Sequence, residues 1–112
     1  MSKVAPPLVF VYDREISGDT DSPESRVRAC RDYAKRMGWE VAGQWLERGD
    51  SEDRLAWRGM VAAMEFQGKD RTSVCLVATW RRIGTDPNNR DRLRLSVLEA
   101  GGVCIAIPPS DL

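Results

Sequence analysis

The feature that most constrains this chain is the segment SVCLVAT, residues 73–79, apolar through its centre without a polar alternate. A strand with one wet face alternates apolar and polar residues. A continuous apolar run this short is a strand covered on both faces, as in a parallel sheet sandwiched between helices. Residues 9–12 (VFVY) and 103–107 (VCIAI, stopped by Pro108 and Pro109) read the same way. Residues 39–46 read as a further strand, with Trp39, Val41 and Trp45 expected on one alternating face.

Helical patterns separate these runs. Asp21 or Ser22 can cap a helix that has Pro23 at its first position, and Val27, Cys30, Tyr33, Ala34 and Met37 follow at helical spacing before Gly38. Residues 55–67 form a second helix, with Trp57, Met60, Val61 and Met64 inward and Gly68 as its stop. Asp86-Pro87 opens a third by the same cap-plus-proline logic. Leu93, Val97 and Ala100 line one side of it, with Leu95 and Leu98 beside them, up to Gly101-Gly102. Strand and helix alternate three times, then a strand follows. That order implies a three-layer α/β fold, a parallel four-stranded sheet with right-handed crossovers and helices on both faces. At 112 residues the chain is expected to be one domain, residues 1–112, with 1–7 as a flexible N-terminus.

Sites in such sheets form at the carboxyl ends of the strands. Three of the loops there carry arginine: Arg14, then Arg48 and Arg54, then Arg81 and Arg82. Other chemistries are narrowed by composition. The chain has no His, which excludes Ser-His and Cys-His catalysis. Its three cysteines, Cys30, Cys75 and Cys104, are widely spaced in apolar contexts and read as small reduced core residues, so no metal or cofactor is expected. The charged stretch 47–53 lacks calcium-ligand spacing and reads as a mobile loop. Seventeen basic and seventeen acidic residues cancel, which argues against strong autonomous binding to nucleic acid. No apolar run suits a membrane span or a signal peptide, so a cytoplasmic location is expected.

With these elements in place, the chain resembles the catalytic domain of serine recombinases, the resolvase/invertase and large serine integrase family. Tyr12-Asp13-Arg14 is close to the family's Tyr-x-Arg-x-Ser. SPESRVRACRDYAKRMGWEVAGQW is similar to its first helix and second strand. DSEDRLAWRGMVAAME is similar to the loop and arginine before its second helix, and CLVATWRRIGT to the strand that leads into Asp-Arg-Leu-x-Arg. The resemblance spans roughly residues 8–107. It implies a resolvase-like, flavodoxin-like sheet in strand order 2-1-3-4. It also implies a serine hydroxyl that attacks a DNA phosphodiester while arginines hold the phosphate, a role that suits the planar guanidinium fork. Arg14, Arg54 and Arg82 stand where three such anion-binding arginines are expected.

Other positions depart from the pattern. Ile16 occupies the place of the serine, and Ser17 is one residue late, which on a regular strand turns its hydroxyl to the opposite face unless a bulge restores it. Arg26 replaces the helix-opening glutamine, Arg81 the acid and Thr85 the last arginine. The chain stops at Leu112, before the dimerisation helix and DNA-binding region expected of the family. Together these features lead to the expectation of a catalytically degenerate domain acting through contacts with an unidentified protein partner, as a regulatory or accessory factor. It is expected to bind DNA weakly or not at all alone and to be a monomer or weak homodimer. The alternatives are a minimal serine recombinase with Ser17 as nucleophile and a separate DNA-binding partner, and a small-anion or nucleotide sensor.

Overall fold

A computed structural model describes residues 5–49 and 53–112. Four parallel strands lie in the order β2-β1-β3-β4: β1 (Leu8–Glu15), β2 (Glu40–Arg48), β3 (Ser73–Val77) and β4 (Gly102–Ala106). The helices α1 (Pro23–Arg36), α2 (Leu55–Gln67) and α3 (Pro87–Glu99) form the crossovers. A single 3-10 turn, Trp80–Arg82, follows β3, where sequence suggested only a basic loop. The expected fold and strand order are both present. Among the described residues no helix is long and apolar enough to cross a membrane.

The caps explain where two helices begin. The Ser22 hydroxyl accepts from the Ser25 N–H (3.1 Å) ahead of Pro23, and the Asp86 carboxylate from the Asn89 N–H (3.3 Å) ahead of Pro87. Helix α2 begins differently. Its N-cap is Arg54, in the left-handed region (φ 50°) and without a side-chain cap bond. The missing acceptor comes from across the fold, where Glu47 Oε1 takes the Trp57 N–H at 2.9 Å. A carboxylate at a helix N-terminus also complements the helix dipole.

The sheet divides the apolar interior into two layers. Leu8, Phe10, Tyr12, Cys75 and Val77 face α2 and α3 and pack with Trp57, Met60, Met64, Ile83 and Val97. Val9, Val11, Val74 and Leu76 face α1 and pack with Val27, Cys30 and Ala34. The alternation along β1 and β3 is strict, as sheet geometry requires. In β2 it breaks. Val9 pairs with Val41 but Phe10 with Gly43, so the register shifts at Ala42. The extra residue turns the strand over. Trp39 and Val41 therefore pack on the α1 layer, while Trp45 packs on the other, its ring 5.5 Å from that of Phe10. The three do not share a face.

Several element ends also differ from expectation. β1 runs on to Glu15, because Asp13 and Arg14 are buried rather than solvated. β2 starts after Trp39 and reaches Arg48, so Glu47 and Arg48 belong to a strand; of the loop expected at 47–53, residues 50–52 lie outside the described residues. Met37, Leu95 and Leu98 are exposed. Of the expected N-terminal tail, residues 1–4 lie outside the described residues, and the carbonyls of Pro6 and Pro7 accept hydrogen bonds from Arg71 and the Glu40 N–H. All three cysteines are free thiols. Burial pushes Cys30 up to about 12, and Cys75 is likewise raised by burial.

Candidate functional site

The carboxyl ends of β1 and β3 bring together a set of buried charges: Asp13, Arg14, Arg26, Arg54 and Arg82 are each at most 9% exposed. Alternation along β1 sorts them. Asp13 follows Val9 and Val11 toward α1, and Arg14 follows Phe10 and Tyr12 toward α2.

On the α1 side, Arg26 in the first turn of the helix forms a two-pronged pair with Asp13. Nε donates to Oδ1 at 2.7 Å and Nη2 to Oδ2 at 2.9 Å. Nη1 donates to Asp21 Oδ1 at 2.7 Å. These carboxylates, Asp13 first, raise the Arg26 pKa above its ordinary value, so the guanidinium stays charged.

The loop after β1 closes over the neighbouring arginine. Arg82 Nη1 and Nη2 donate to the two oxygens of Asp19 at 2.7 and 3.0 Å, and Nη1 also reaches the Arg14 carbonyl at 2.9 Å. Asp19 is held in turn by the Ile16 N–H (2.9 Å), and its own N–H donates to the Ile16 carbonyl (3.1 Å). The Arg82 contact first, then the Ile16 N–H, hold the Asp19 carboxyl well below the usual carboxylate range.

On the α2 side, Arg54 Nη1 donates to the Tyr12 hydroxyl at 3.2 Å. Burial raises the Tyr12 pKa strongly, with Arg54 opposing and Glu47 reinforcing the shift, so Tyr12 is a neutral phenol. The Tyr12 ring meets Trp57 edge-on at 4.9 Å. Arg54 lines a cavity of about 490 Å³ between the N-terminal turns of α2 and α3.

Ser17 lies elsewhere. It is exposed in the turn after β1 and lines a different cavity, of about 360 Å³, among Glu15, Asp19, Asp21 and Arg48. Three carboxylates and one guanidinium there make a poor seat for a phosphate. Ile16, where the sequence resemblance would put a serine, is half-buried, and Arg81 and Thr85 are exposed. Arg14 and Arg82 are therefore joined through a carbonyl contact and Arg54 sits with Tyr12, but Ser17 and Arg54 open onto separate cavities. Among the described residues no group of Cys, Asp and Glu side chains converges as metal ligands would.

Sequence reasoning missed Asp13, Asp19 and Glu47. Asp13 carried a usable signal: two residues past Val11 on a two-sided strand, it must face α1, where Arg26 occupies the first turn. Asp19 and Glu47 carried none, since each acts through a long-range contact.

No protein-family model matches the chain, and no curated protein does. Among solved structures it is similar to the N-terminal catalytic domain of TP901-1 integrase, at 20% identity and a TM-score of 0.74, covering 88% of this chain and 75% of that one. It is also similar to the C-terminal catalytic domain of ISC1926 TnpA, an IS607-like serine recombinase, at 15% identity and a TM-score of 0.73, covering 93% of this chain and 73% of that one. The chain has the fold of a serine recombinase catalytic domain.

Proposed function

We propose that this recombinase-fold domain has lost the strand-end chemistry and acts through protein contacts, as a regulatory or accessory factor. The observation that carries this reading is the placement of Ser17: exposed, among Glu15, Asp19 and Asp21, on a cavity that Arg54 does not line. A nucleophile attacking a phosphodiester needs in-line reach to a phosphate that donors already hold, within about 3–3.5 Å. The Asp19 carboxylate adds to the case, because it occupies the fork of Arg82 that a phosphate would otherwise take. Ile16 at the position of the family serine offers no hydroxyl.

The burial of Arg14, Arg54 and Arg82 at the strand ends favours a second reading, a minimal serine recombinase that relies on a partner for DNA binding. One experiment separates the two. The chain is incubated with supercoiled plasmid and mixed DNA fragments, then run on denaturing gels. The degenerate reading expects no covalent protein–DNA band. A band that disappears in Ser17→Ala refutes it and establishes the recombinase.

A further inference from the structure

We propose that the groove between α2 and α3 is the docking site for a partner segment that presents one carboxylate beside a bulky apolar side chain. This rests on the protein-contact reading above and names the chemistry of the contact. Two cavities, of about 490 and 330 Å³, share Trp57, Arg58, Arg92 and Leu93 and so form one groove with two halves. Arg58 and Val61 stand at helical spacing on α2, just past its N-cap Arg54, and Arg92 and Ser96 at the matching spacing on α3.

The first half is cationic. Arg54, Arg58 and Arg92 line it, opposed by Asp53 and Asp86, which leaves one excess positive charge. The N-terminal turns of α2 and α3 add little to this, because Glu47 already takes the Trp57 N–H and Asp86 the Asn89 N–H. That balance suits a single carboxylate; the two acidic side chains count against a polyphosphate or a DNA backbone. Arg58 and Arg92 are exposed and so able to meet a partner.

The second half is apolar, built on Val61, Leu93 and the Trp57 ring. The polar atoms of Trp57 and Ser96 there are already committed. The Trp57 Nε1–H donates to Ser96 Oγ at 3.0 Å, and Ser96 Oγ donates to the Leu93 carbonyl. Arg58 and Arg92, which line this half as well, supply its remaining donors, so a carboxylate can be held beside an aliphatic or aromatic side chain that itself needs no polar reader. Charge at one end, an apolar slot at the other and an open groove along two helices together match a peptide of mixed acidic and apolar character.

The test uses the full chain. A displayed library of random twelve-residue peptides is selected on it, and a synthetic peptide of the winning sequence is titrated into the 15N-labelled protein, with inorganic phosphate and a short DNA duplex as parallel titrants. The expected winners pair Asp or Glu with Leu, Phe or Trp, shift the amides of α2 and α3, and lose at least tenfold in affinity in Arg58→Glu and Arg92→Glu. Both side chains are exposed, so an unchanged melting temperature confirms that the variants fold. Winners without an acidic residue, shifts confined to α1 and β2, or tighter binding of phosphate or DNA in this groove overturn the proposal. So does a library that enriches nothing. The plasmid assay keeps the two readings apart. Peptide binding together with a covalent DNA band leaves the groove standing and removes the degenerate reading; no enrichment and no band does the reverse.

Discussion

Removing Asp13 strands a charge that has no neutral form. Arg26 is 2% exposed at its side chain and Asp13 3%, and their two contacts of 2.7 and 2.9 Å satisfy one whole edge of the guanidinium. Arginine cannot give up its proton inside a protein, so in Asp13→Leu the cation stays buried beside a methyl group. Breaking a buried pair from one side destabilises by about 3–5 kcal/mol. Asp21 still reaches Arg26 at 2.7 Å, but its side chain is half exposed and water screens it, and Asp19 lies farther off at 3.5 Å. The lower end, about 3 kcal/mol, is therefore expected, which for a domain of this size lowers the melting temperature by roughly 12 °C.

The double variant Asp13→Leu/Arg26→Met tests the reasoning more sharply than the single one. It removes both charges and fills the space with apolar atoms. Asp19 keeps Arg82, and Asp21 returns to solvent. The double variant should recover at least about 2 kcal/mol of the loss, because the stranded charge and not the missing attraction dominates. Thermal and urea melts of the parent, both single variants and the double variant give the coupling energy. Additive losses, or a loss below about 1 kcal/mol in Asp13→Leu, would refute the account of Arg26 as a buried cation held chiefly by Asp13.

Further tests probe other parts of the fold. Val77→Asp places a carboxylate on a fully buried position of β3 and should cost about 4 kcal/mol or more in a urea melt; a melting temperature within a degree or two of the parent contradicts that burial. Asp19 has a depressed folded pKa, so its pairing with Arg82 stabilises above the unfolded value of about 3.9 and is lost as pH falls through the lower folded value. Asp19→Asn should therefore be less stable than the parent at pH 7, and the gap should shrink steadily below about pH 4; a constant gap in melts from pH 7 to pH 2 contradicts the linkage. Gly68→Ala should destabilise by about 1–3 kcal/mol although its φ is ordinary (−94°), since the added methyl would sit 2.7 Å from the Met64 carbonyl and 2.0 Å from Ser73 Oγ; a neutral urea midpoint would show that the turn relaxes.

The parts legible in sequence were those dictated by short-range rules. Continuous apolar runs such as VCLV can only be strands covered on both sides, and Ser22-Pro23 and Asp86-Pro87 announce helices through local hydrogen bonds and a fixed φ. The register shift at Ala42 was not legible. Nothing in EVAGQW marks the added residue apart from Gly43, where a Cβ would come within 3.1 Å of the Trp45 ring. One residue of slip sent Trp45 to the layer opposite Trp39. The start of α2 was hidden for a related reason: its cap, Glu47, lies ten residues upstream of the N–H it binds, on a strand that sequence ended at Leu46.

The arginines themselves were visible, but their state was not. Arginine at a strand end reads as capacity for an anion, and that capacity depends on what already occupies the fork. Arg82 spends both Nη groups on Asp19, and Arg26 spends all three of its nitrogens on Asp13 and Asp21. A phosphate arriving at Arg82 would first have to displace a carboxylate that is also fastened by the Ile16 N–H. The exchange swaps one charge-assisted pair for another and sacrifices a backbone hydrogen bond, so it offers little net gain. Arg58 and Arg92 differ, because they stand exposed on helices beside an apolar slot. A partner meeting them releases little of the internal structure. If the proposed docking reading holds, the groove between α2 and α3 offers charge for recognition that Arg82 and Arg26 at the end of the sheet do not.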